Sequence, residues 1–309
     1  MKPAIVILGS LNMDFVVRTD HLPVAGETVL GRGFQMIPGG KGANQACAAG
    51  RLSSGALVRM VGRVGYDVFA DHLKASLAAA GVDVSAVTAV RSEPTGVAFI
   101  GVDAAGQNSI IVASGANAAF PPVDVEGSRD SYRNCAFALF QLETPLPTVA
   151  AALRLAKRQG ASTILDPAPA QPLPADLLSD VDILTPNESE ACSLVGRSAA
   201  RIGLAEAPAL ARSVLRMGPK AVILKVGENG CLYVDSSTEV HAPGFRVEAR
   251  DTTAAGDTFN AALAVALTEG RELRDALRFA NAAAAISVTR IGAQSSAPTR
   301  AEVDAFLTS

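Results

Sequence analysis

The clearest pattern along the chain is a series of short apolar runs, each followed by glycine, proline or a polar residue. Continuous apolar runs of this length are typical of strands that are covered on both faces. We therefore expect each of them to form a buried strand. They lie at residues 5–8, 57–61, 136–140, 163–165, 183–184 and 221–226.

Helical patterns lie between the apolar runs. Residues 149–159 are rich in Ala, Leu, Lys and Arg and are followed by Gly160, and residues 204–217 show a similar pattern before Gly218. Phe259, Leu263 and Leu267 also fall at helical spacing, and so do Leu273, Leu277, Ala280 and Ala284. Strands that alternate with helices predict the α/β class, with a doubly wound, mostly parallel sheet flanked by helices.

Two regions, at about 14–38 and 95–113, alternate apolar and polar residues without a helical period. The second has an apolar stretch at 96–102, a Gly-containing turn and another apolar stretch at 110–112. This order predicts a hairpin with one covered and one open face. We interpret both regions as a small sheet attached to a single domain of residues 1–309. Such a sheet suits a lid, or a surface that pairs with a second copy of the chain.

Composition and charge exclude several classes of protein. The formal net charge is −3 and the charges are dispersed, which argues against nucleic-acid binding and against a polybasic membrane patch. The first apolar run is too short for a signal peptide, and no stretch approaches the length of a membrane span. The four cysteines are isolated, which favours reduced, buried thiols in a cytoplasmic protein.

Polar residues follow several of the predicted strands. Asn12 and Asp14 follow the first strand, Glu143 follows the third, and Asn187 and Glu190 follow the fifth. Ligands of an open parallel sheet bind outside the carboxyl ends of its strands. We therefore expect a binding site at that edge.

A glycine-rich run at residues 38–46 reads Pro-Gly-Gly-Lys-Gly-Ala-Asn-Gln-Ala. Its three glycines allow a ligand to approach the backbone, and it opens a helical pattern. The run is not a Walker P-loop, because that motif needs Ser or Thr directly after Gly-Lys. A flexible loop that leads into a helix fits the spacing equally well.

The segment at residues 251–259 reads Asp-Thr-Thr-Ala-Ala-Gly-Asp-Thr-Phe and enters another helical pattern. Small residues before a helix expose backbone N–H groups that can stabilise developing phosphate charge. A carboxylate at the same end, that of Asp257, can accept a proton from a substrate hydroxyl. The spacing alone leaves open that Asp257 only caps the helix.

Asn187 and Glu190 lie three residues apart and share a helix face if a helix starts there. Oxygen atoms of this kind can orient water around Mg²⁺. A capping box is the equally compatible alternative. The chain has no Gly-x-Ser-x-Gly elbow and no Gly-x-Gly-x-x-Gly after a strand, and its three histidines lack metal-ligand spacing.

Together these segments resemble the PfkB family of carbohydrate kinases from end to end. The segment at 251–259 is highly specific to that family, and the run at 39–44 favours its ribose-phosphorylating members over adenosine kinases and fructokinases. The family usually has Gly where this chain has Ala254, so a positive φ there would be strained. The matching segments are residues 9–14, 23–28, 39–46, 141–143, 166–170, 185–188, 251–259 and 282–296.

The resemblance implies an ATP-dependent kinase for O5 of D-ribose, with Mg²⁺, a monovalent cation that is usually K⁺, and a small lid sheet that also joins two copies of the chain. Asp257 would be the general base, and the anion hole would comprise Ala254, Ala255 and Gly256. Sugar contacts would come from Asn12, Met13, Asp14, Gly40, Lys41, Gly42, Ala43, Asn44 and Glu143.

For the nucleotide and the ions, the resemblance implies three further groups of residues. Contacts with ATP would come from Asn187, Lys225, Val226, Gly227, Glu228, Asn229, Gly230, Gly256 and Asn281. Glu190 would act on Mg²⁺ through water. The monovalent cation would contact Asp251, Thr253, Ser287, Arg290, Gly292 and Ser296, partly through backbone carbonyls.

Other functions remain compatible with the sequence. The nearest is a kinase of the same family that acts on deoxyribose, a nucleoside or another small sugar. A sugar-binding protein without catalysis belongs to a different class, and the retained Asp257, Asn187 and Glu190 argue against it. An oxidoreductase is disfavoured because the dinucleotide fingerprint is missing.

Overall fold

The computed structural model describes residues 2–308. Their strands are β1 (Ala4–Leu8), β2 (Asn12–Arg18), β3 (Arg32–Gly39), β4 (Leu57–Gly65), β5 (Val82–Val90), β6 (Gly96–Val102), β7 (Asn108–Ala113), β8 (Cys135–Phe140), β9 (Ser162–Leu165), β10 (Ile183–Leu184), β11 (Ala221–Lys225), β12 (Cys231–Asp235) and β13 (Glu239–Ala242). Nine of them form one sheet, in the order β13-β12-β11-β10-β9-β8-β1-β4-β5. Only the β11–β12 and β12–β13 pairs in it are antiparallel, so the prediction of a mostly parallel sheet is confirmed.

The helices flank this sheet. They are α1 (Lys41–Leu52), α2 (Val68–Ala79), α3 (Leu146–Arg158), α4 (Ala175–Ser179), α5 (Glu188–Leu194), α6 (Ala207–Leu215), α7 (Ala255–Thr268), α8 (Leu273–Val288) and α9 (Arg300–Thr308). The predicted helix at 149–159 begins earlier, at Leu146, and the one at 204–217 begins later, at Ala207. Both start next to a proline in the first turn, where its missing N–H leaves no hydrogen bond unmade.

The core consists of two layers, one on each face of the large sheet. All five residues of β1 are buried; Ile5 and Ile7 belong to the layer that contains α1, α7 and α8, whereas Val6 and Leu8 belong to the layer that contains α3 and α6. This division explains the continuous apolar runs, because both faces of such a strand need apolar side chains.

The small sheet has the order β3-β2-β6-β7. In its register Phe15 lies opposite Met36 and Phe99, and Phe99 lies opposite Ile111, so these four side chains share one face. The predicted hairpin is present as β6 and β7. The expectation of one covered face is wrong for β7, which is exposed along its whole length because it is the edge strand.

None of the helices within residues 2–308 is long and apolar enough to cross a membrane. All four cysteines are free and buried, as their isolated positions predict.

Candidate active site

Asp257 lies in the first turn of α7, at the carboxyl edge of the large sheet, and is only 4% exposed. Its Oδ2 accepts a hydrogen bond from Nδ2 of Asn44 (3.1 Å), and its Oδ1 accepts one from Nε2 of Gln45 (3.1 Å). The N-cap position of α7 is occupied by Ala254, without a side-chain cap. Asp257 is therefore held by α1 across the site, and the alternative that it only caps its own helix is wrong.

Burial raises the pKa of Asp257 to about 6. The charge of Asp166 also raises it, whereas the ammonium of Lys41 and the amides of Gln45 and Asn44 lower it. A carboxylate with this pKa is ionised at neutral pH and still accepts a proton readily.

Backbone N–H groups at the start of α7 lie beside Asp257. The first N–H groups of a helix have no intrahelical partner and can bind an anion. Here they belong to the small residues Ala255, whose N–H donates to the carbonyl of Thr252 (3.3 Å) before the helix, and Gly256. Nζ of Lys225 lies 3.2 Å from the position that a Cβ on Gly256 would occupy, so the ammonium faces the same backbone. Ala254 has φ 57°, so this residue does adopt the left-handed backbone that the sequence analysis describes as strained for alanine.

Lys225 is held in place by a carboxylate that follows β9. Its Nζ lies 3.1 Å from Oδ1 of Asp166, and the two side chains are 13% and 3% exposed. The sequence placed Asp166 directly after a predicted strand, but it was not among the predicted site residues. Its position after a buried strand was the available signal.

The predicted sugar-contacting residues converge on the start of α1. Gly40 has φ 88°, and a Cβ there would lie 2.8 Å from the backbone N of Asn12, so only glycine lets these segments meet. Oε2 of Glu143 accepts hydrogen bonds from Oγ of Ser10 (2.5 Å) and from the backbone N–H of Lys41 (3.0 Å). The glycine-rich run is thus an ordered part of the site.

Charges concentrate at this end of the site. Burial, with the nearby charge of Glu143, raises the pKa of Asp14 to about 7. Burial alone would lower the pKa of the Lys41 ammonium, but the surrounding carboxylates outweigh it and hold that pKa above its usual value. These carboxylates are Asp257, Asp166, Glu143 and Glu190.

Asn12 is held by a residue that sequence reasoning missed. Nδ2 of Asn117 donates to Oδ1 of Asn12 (2.8 Å) and to the carbonyl of Leu11 (3.0 Å), and its Oδ1 accepts from the N–H of Leu11 (3.0 Å). No signal in the sequence connects Asn12 with a residue 105 positions away. A cavity of about 360 Å³ opens here, lined by Asn12, Asn117, Glu143 and Val112 of β7.

Two of the predicted sugar contacts are buried in the core. Met13 and Ala43 are fully buried and pack with the apolar layer that includes α1 and α7. Their side chains cannot reach a ligand, so any contribution comes from their backbone. Asn44 is different, because its Oδ1 is a buried acceptor without a hydrogen-bond partner, which suits a hydroxyl donor.

Asn187 and Glu190 form a complete capping box at the start of α5. Oδ1 of Asn187 accepts from the N–H of Glu190 (2.8 Å), and Oε2 of Glu190 accepts from the N–H of Asn187 (2.7 Å). The capping alternative is therefore confirmed. Asn187 also pairs with Lys225 in a parallel β-bridge, which joins α5 to the end of β11.

The other predicted nucleotide-contacting residues surround the loop after β11. Gly227–Asn229 form a short 3-10 turn closed by Gly230, while the side chain of Val226 is buried. Nδ2 of Asn281 in α8 donates to the carbonyls of Ala242 (3.0 Å) and Pro243 (3.2 Å). Asn281 thus holds the end of β13 beside this loop.

The segments predicted to hold a monovalent cation do come together. Oδ1 of Asp251 accepts from the N–H of Thr253 (2.9 Å), and its Oδ2 accepts from the N–H of Gly292 (2.9 Å). Ser287 and Ser296 donate to local carbonyls, and Arg290 pairs with Glu302 (2.7 Å). Asp251 therefore ties the loop before α7 to the loop after α8.

Within residues 2–308, no group of three or more His, Cys, Asp or Glu side chains is arranged to hold a metal ion directly. Glu190 lies close enough to Lys225, Asp166 and Lys41 for their charges to affect it, and its burial raises its pKa. This arrangement fits a hydrated Mg²⁺, which keeps several of its waters, better than a cage of protein ligands.

A family model described as pfkB family carbohydrate kinase matches residues 2–300. The chain belongs to this family. It is 42% identical to the ribokinase of Haemophilus influenzae over 308 residues, which cover 99% of each chain. It is 36% identical to the deoxyribokinase of Salmonella typhi over 304 residues, which cover 98% of each.

Solved structures of this family share the fold. The Arabidopsis thaliana ribokinase complexed with ribose and ATP superposes with a TM-score of 0.92 at 35% identity, over the whole length of both chains. The chain is thus a member of the pfkB carbohydrate kinases in sequence and in architecture.

Proposed function

We propose that this protein is a ribokinase, which transfers the γ-phosphoryl group of ATP to O5 of D-ribose. The observation that carries the proposal is the buried carboxylate of Asp257 beside the N-terminus of α7 and facing Asn44. In this proposal the proton acceptor and the groups that bind the anion lie within one turn of a helix. Both are needed when an alcohol attacks a phosphoryl group.

The sugar binds between the start of α1 and β2. Asp14 and Glu143 accept hydrogen bonds from its hydroxyls, and the unpaired Oδ1 of Asn44 accepts another. Charge-assisted bonds of this type fix orientation as well as affinity. The primary hydroxyl then lies beside Asp257.

Asp257 accepts the proton of O5 as O5 forms its bond to the γ-phosphorus and the bond to the β-phosphate oxygen breaks. The N–H of Gly256 and the ammonium of Lys225 stabilise the charge on the transferring group, and the N–H of Ala255 joins them by giving up its hydrogen bond to Thr252. Lys225 exchanges part of its interaction with Asp166 for the phosphoryl oxygens.

We infer that ATP lies along the loop at residues 225–230 towards Asn281, with Asn187 at the phosphate end. Mg²⁺ supplies charge neutralisation for the phosphates, and Glu190 would hold it through water. Such help is needed because five carboxylates but only two ammonium groups surround the site: Asp14, Glu143, Asp166, Glu190 and Asp257, with Lys41 and Lys225. A monovalent cation, K⁺ in our proposal, would stabilise the loops that Asp251 connects and thereby the start of α7.

The small sheet, at about residues 14–38 and 95–113 of this single domain, acts as a lid and as a dimer clasp in our proposal. Val112 lines the cavity beside Asn12 on one face, and the other face carries Phe34, Phe99 and Ile111, which are 58%, 53% and 69% exposed. A second copy of the chain would cover these apolar side chains. A cytoplasmic location fits an ATP-consuming enzyme with four free, buried cysteines.

The test is ADP release with MgATP over a panel of ribose, deoxyribose, fructose, adenosine and no sugar, each in K⁺ and in Na⁺. We expect turnover with ribose at least about 10-fold above the other sugars, because lost hydroxyl contacts leave Asp14 or Asn44 unpaired. Preferential use of deoxyribose would favour the activity named for the Salmonella relative instead. Absence of turnover with every sugar would favour a binding protein.

A further inference from the structure

The carboxylate of Asp257 lies at one end of a buried series of hydrogen-bonded amide side chains, to which the proposed function gives no role. Gln45 in α1 is 0% exposed and lies one residue after Asn44. Its Nε2 donates to Oδ1 of Asp257 (3.1 Å) and lies 3.4 Å from Oδ2 of Asp166. One amide therefore contacts both the proposed base and the carboxylate that holds Lys225.

The orientation of the Gln45 amide is fixed by a second glutamine, on the side away from Asp257. Nε2 of Gln141, the residue after β8, donates to Oε1 of Gln45 at 2.7 Å, and Gln141 is also 0% exposed. If the Gln45 amide were turned round, its oxygen would face two carboxylates and its nitrogen would face the NH₂ group of Gln141. Both contacts would be repulsive, so the Gln141 donor selects the orientation in which Gln45 donates to Asp257.

The position of Gln141, at the other end of this series of amides, depends on a glycine. Gly9 follows β1, and a Cβ at that position would collide with Oε1 of Gln141. The absence of a side chain at position 9 is what allows Gln141 to reach Gln45. Buried amides are costly unless they are paired, and three residues from three different elements are arranged here around one bond to Asp257.

We propose that Gln45 is a positioning residue for the general base, and that Gln141 and Gly9 fix the orientation in which it works. Gln45 holds the Asp257 carboxylate in one rotamer and leaves Oδ2 to Asn44 and to the incoming hydroxyl. It also keeps Asp257 and Asp166 apart by placing a shared donor between them. This inference rests on the proposed function, in which Asp257 is the base.

The charged groups that face Asp257 are Lys41 at the start of α1 and Asp166 after β9, and Lys225 pairs with Asp166. A change at position 45 leaves these three charges in place and removes the donor that Asp257 and Asp166 share. A hydrogen bond to the ionised form of a carboxyl group lowers its pKa, so its removal raises the pKa of Asp257. Because turnover needs the ionised base, the activity of the variant would begin to fall at a higher pH than that of the wild type when the solution is acidified.

The experiment is the pH profile of kcat, at saturating sugar and MgATP, for the wild type and for Gln45→Met, which keeps the side-chain length without the amide. In Gln45→Met we expect the acid limb of the kcat profile to lie about one pH unit higher than in the wild type, and the plateau kcat to be about 10-fold lower. KM for the sugar should change less than about threefold, since Asn44 and Asp14 remain. An acid limb that does not move in a folded variant would overturn the proposal.

Two further variants separate positioning from a loss of folding. Gln141→Met leaves every direct contact of Asp257 intact, and we expect the same upward movement of the limb to a smaller extent. Thr163→Val is the control, because Thr163 is also fully buried and hydrogen-bonded, to Asp180 and Asp182. The control should lower the stability of the protein without moving the acid limb of the kcat profile. If the acid limbs of Gln141→Met and the wild type coincided, Gln141 would have no part in positioning the base.

A titration of the Asp257 carboxyl by ¹³C NMR distinguishes failure of this inference from failure of the proposed function. It needs no substrate, so it can be read even if none of the sugars in the panel is turned over. We expect the midpoint for Asp257 to be higher in Gln45→Met than in the wild type. Equal midpoints would contradict the role of Gln45 whatever the substrate is.

Discussion

The two sheets of this molecule hold functional residues in different ways. In the nine-stranded sheet both faces are covered, and Asp257, Asp166 and Gln45 are buried at its carboxyl edge, where Gln45 donates to both carboxylates. The four-stranded sheet carries Asp14 on one face, and its other face leaves Phe99 and Ile111 exposed. In the proposed function the first sheet preorganises the chemistry, whereas the second holds a sugar-binding group on an element that still has apolar surface to bury.

The small sheet contacts the main domain through part of its surface. The ring of Phe15 packs at 5.5 Å from Phe69 of α2, and within the small sheet it stacks on Phe34 and Phe99 at centroid distances of 6.0 and 5.4 Å. Strands β3 and β7 are exposed along most of their length, so the small sheet shares less of the core than the nine-stranded sheet does. Changes in the large sheet should therefore affect catalysis, and changes in the small sheet should affect binding and assembly.

The largest effect is expected for the base. Asp257→Asn removes the proton acceptor and keeps a similar shape, so we expect kcat to fall by at least about 10³-fold while the sugar still binds. Single-turnover assays with calorimetry of ribose binding would measure both. Turnover close to that of the wild type would refute the assignment of Asp257 as the base.

The second effect concerns Asp14 in the small sheet. Asp14→Asn removes a charged acceptor, so we expect KM for the sugar to rise about 10- to 100-fold with a smaller change in kcat. Since the pKa of Asp14 is about 7, KM of the wild type should rise as the pH falls below 7, whereas kcat should fall only near pH 6, where Asp257 is protonated. A common midpoint for both parameters would contradict the separation of the two sheets.

The same variant gives a stability test with a defined sign. The raised pKa of Asp14 means that between about pH 4 and pH 7 the folded chain holds a proton that the unfolded chain has lost. The stability contributed by this group therefore falls as pH rises through that window. At pH 8 the free energy of unfolding of Asp14→Asn should therefore exceed that of the wild type by about 1–2 kcal/mol, after allowance for solvent screening. At pH 4 the two free energies should differ little.

A third effect concerns the exposed face of the small sheet. Ile111→Asp places a charge among Phe34, Met36 and Phe99, so we expect the proposed dimer to weaken at least about 10-fold, measured by sedimentation or light scattering. Ile110→Asp is the matched control, since Ile110 is also exposed but points to the opposite face. Equal assembly of the two variants would place the dimer interface elsewhere or exclude it.

The contrast between the sheets also explains which features the sequence revealed. Strands covered on both faces, such as β1, β8 and β11, are continuous apolar runs and were predicted almost residue by residue. β12 and β13, near the edge of the sheet, carry mixed patterns and were not predicted. Periodicity identifies burial, and burial decreases towards the edge.

The site was predictable where its residues share a motif and not where they pair over long distances. Asp257, Asn187 and Lys41 lie in recognisable segments, but the bond from Gln45 to Asp257 spans 212 positions. The role of Asn117 likewise depends on a partner 105 residues away. Such pairs are created by the topology of the sheet, so a pattern read along one chain cannot contain them.

The smallest effect concerns the backbone at the start of α7, at the large-sheet site. Ala254 has φ 57°, a conformation that disfavours a Cβ, so Ala254→Gly should raise the free energy of unfolding by about 0.5–1 kcal/mol. Ala255→Gly, one residue into the helix, should lower it by a similar amount because helical glycine is unfavourable. Denaturant unfolding of both variants measures this difference in sign. If both substitutions destabilised the protein equally, the left-handed residue would carry no strain, and the rigidity of this site would have to arise from the contacts of Asp257 alone.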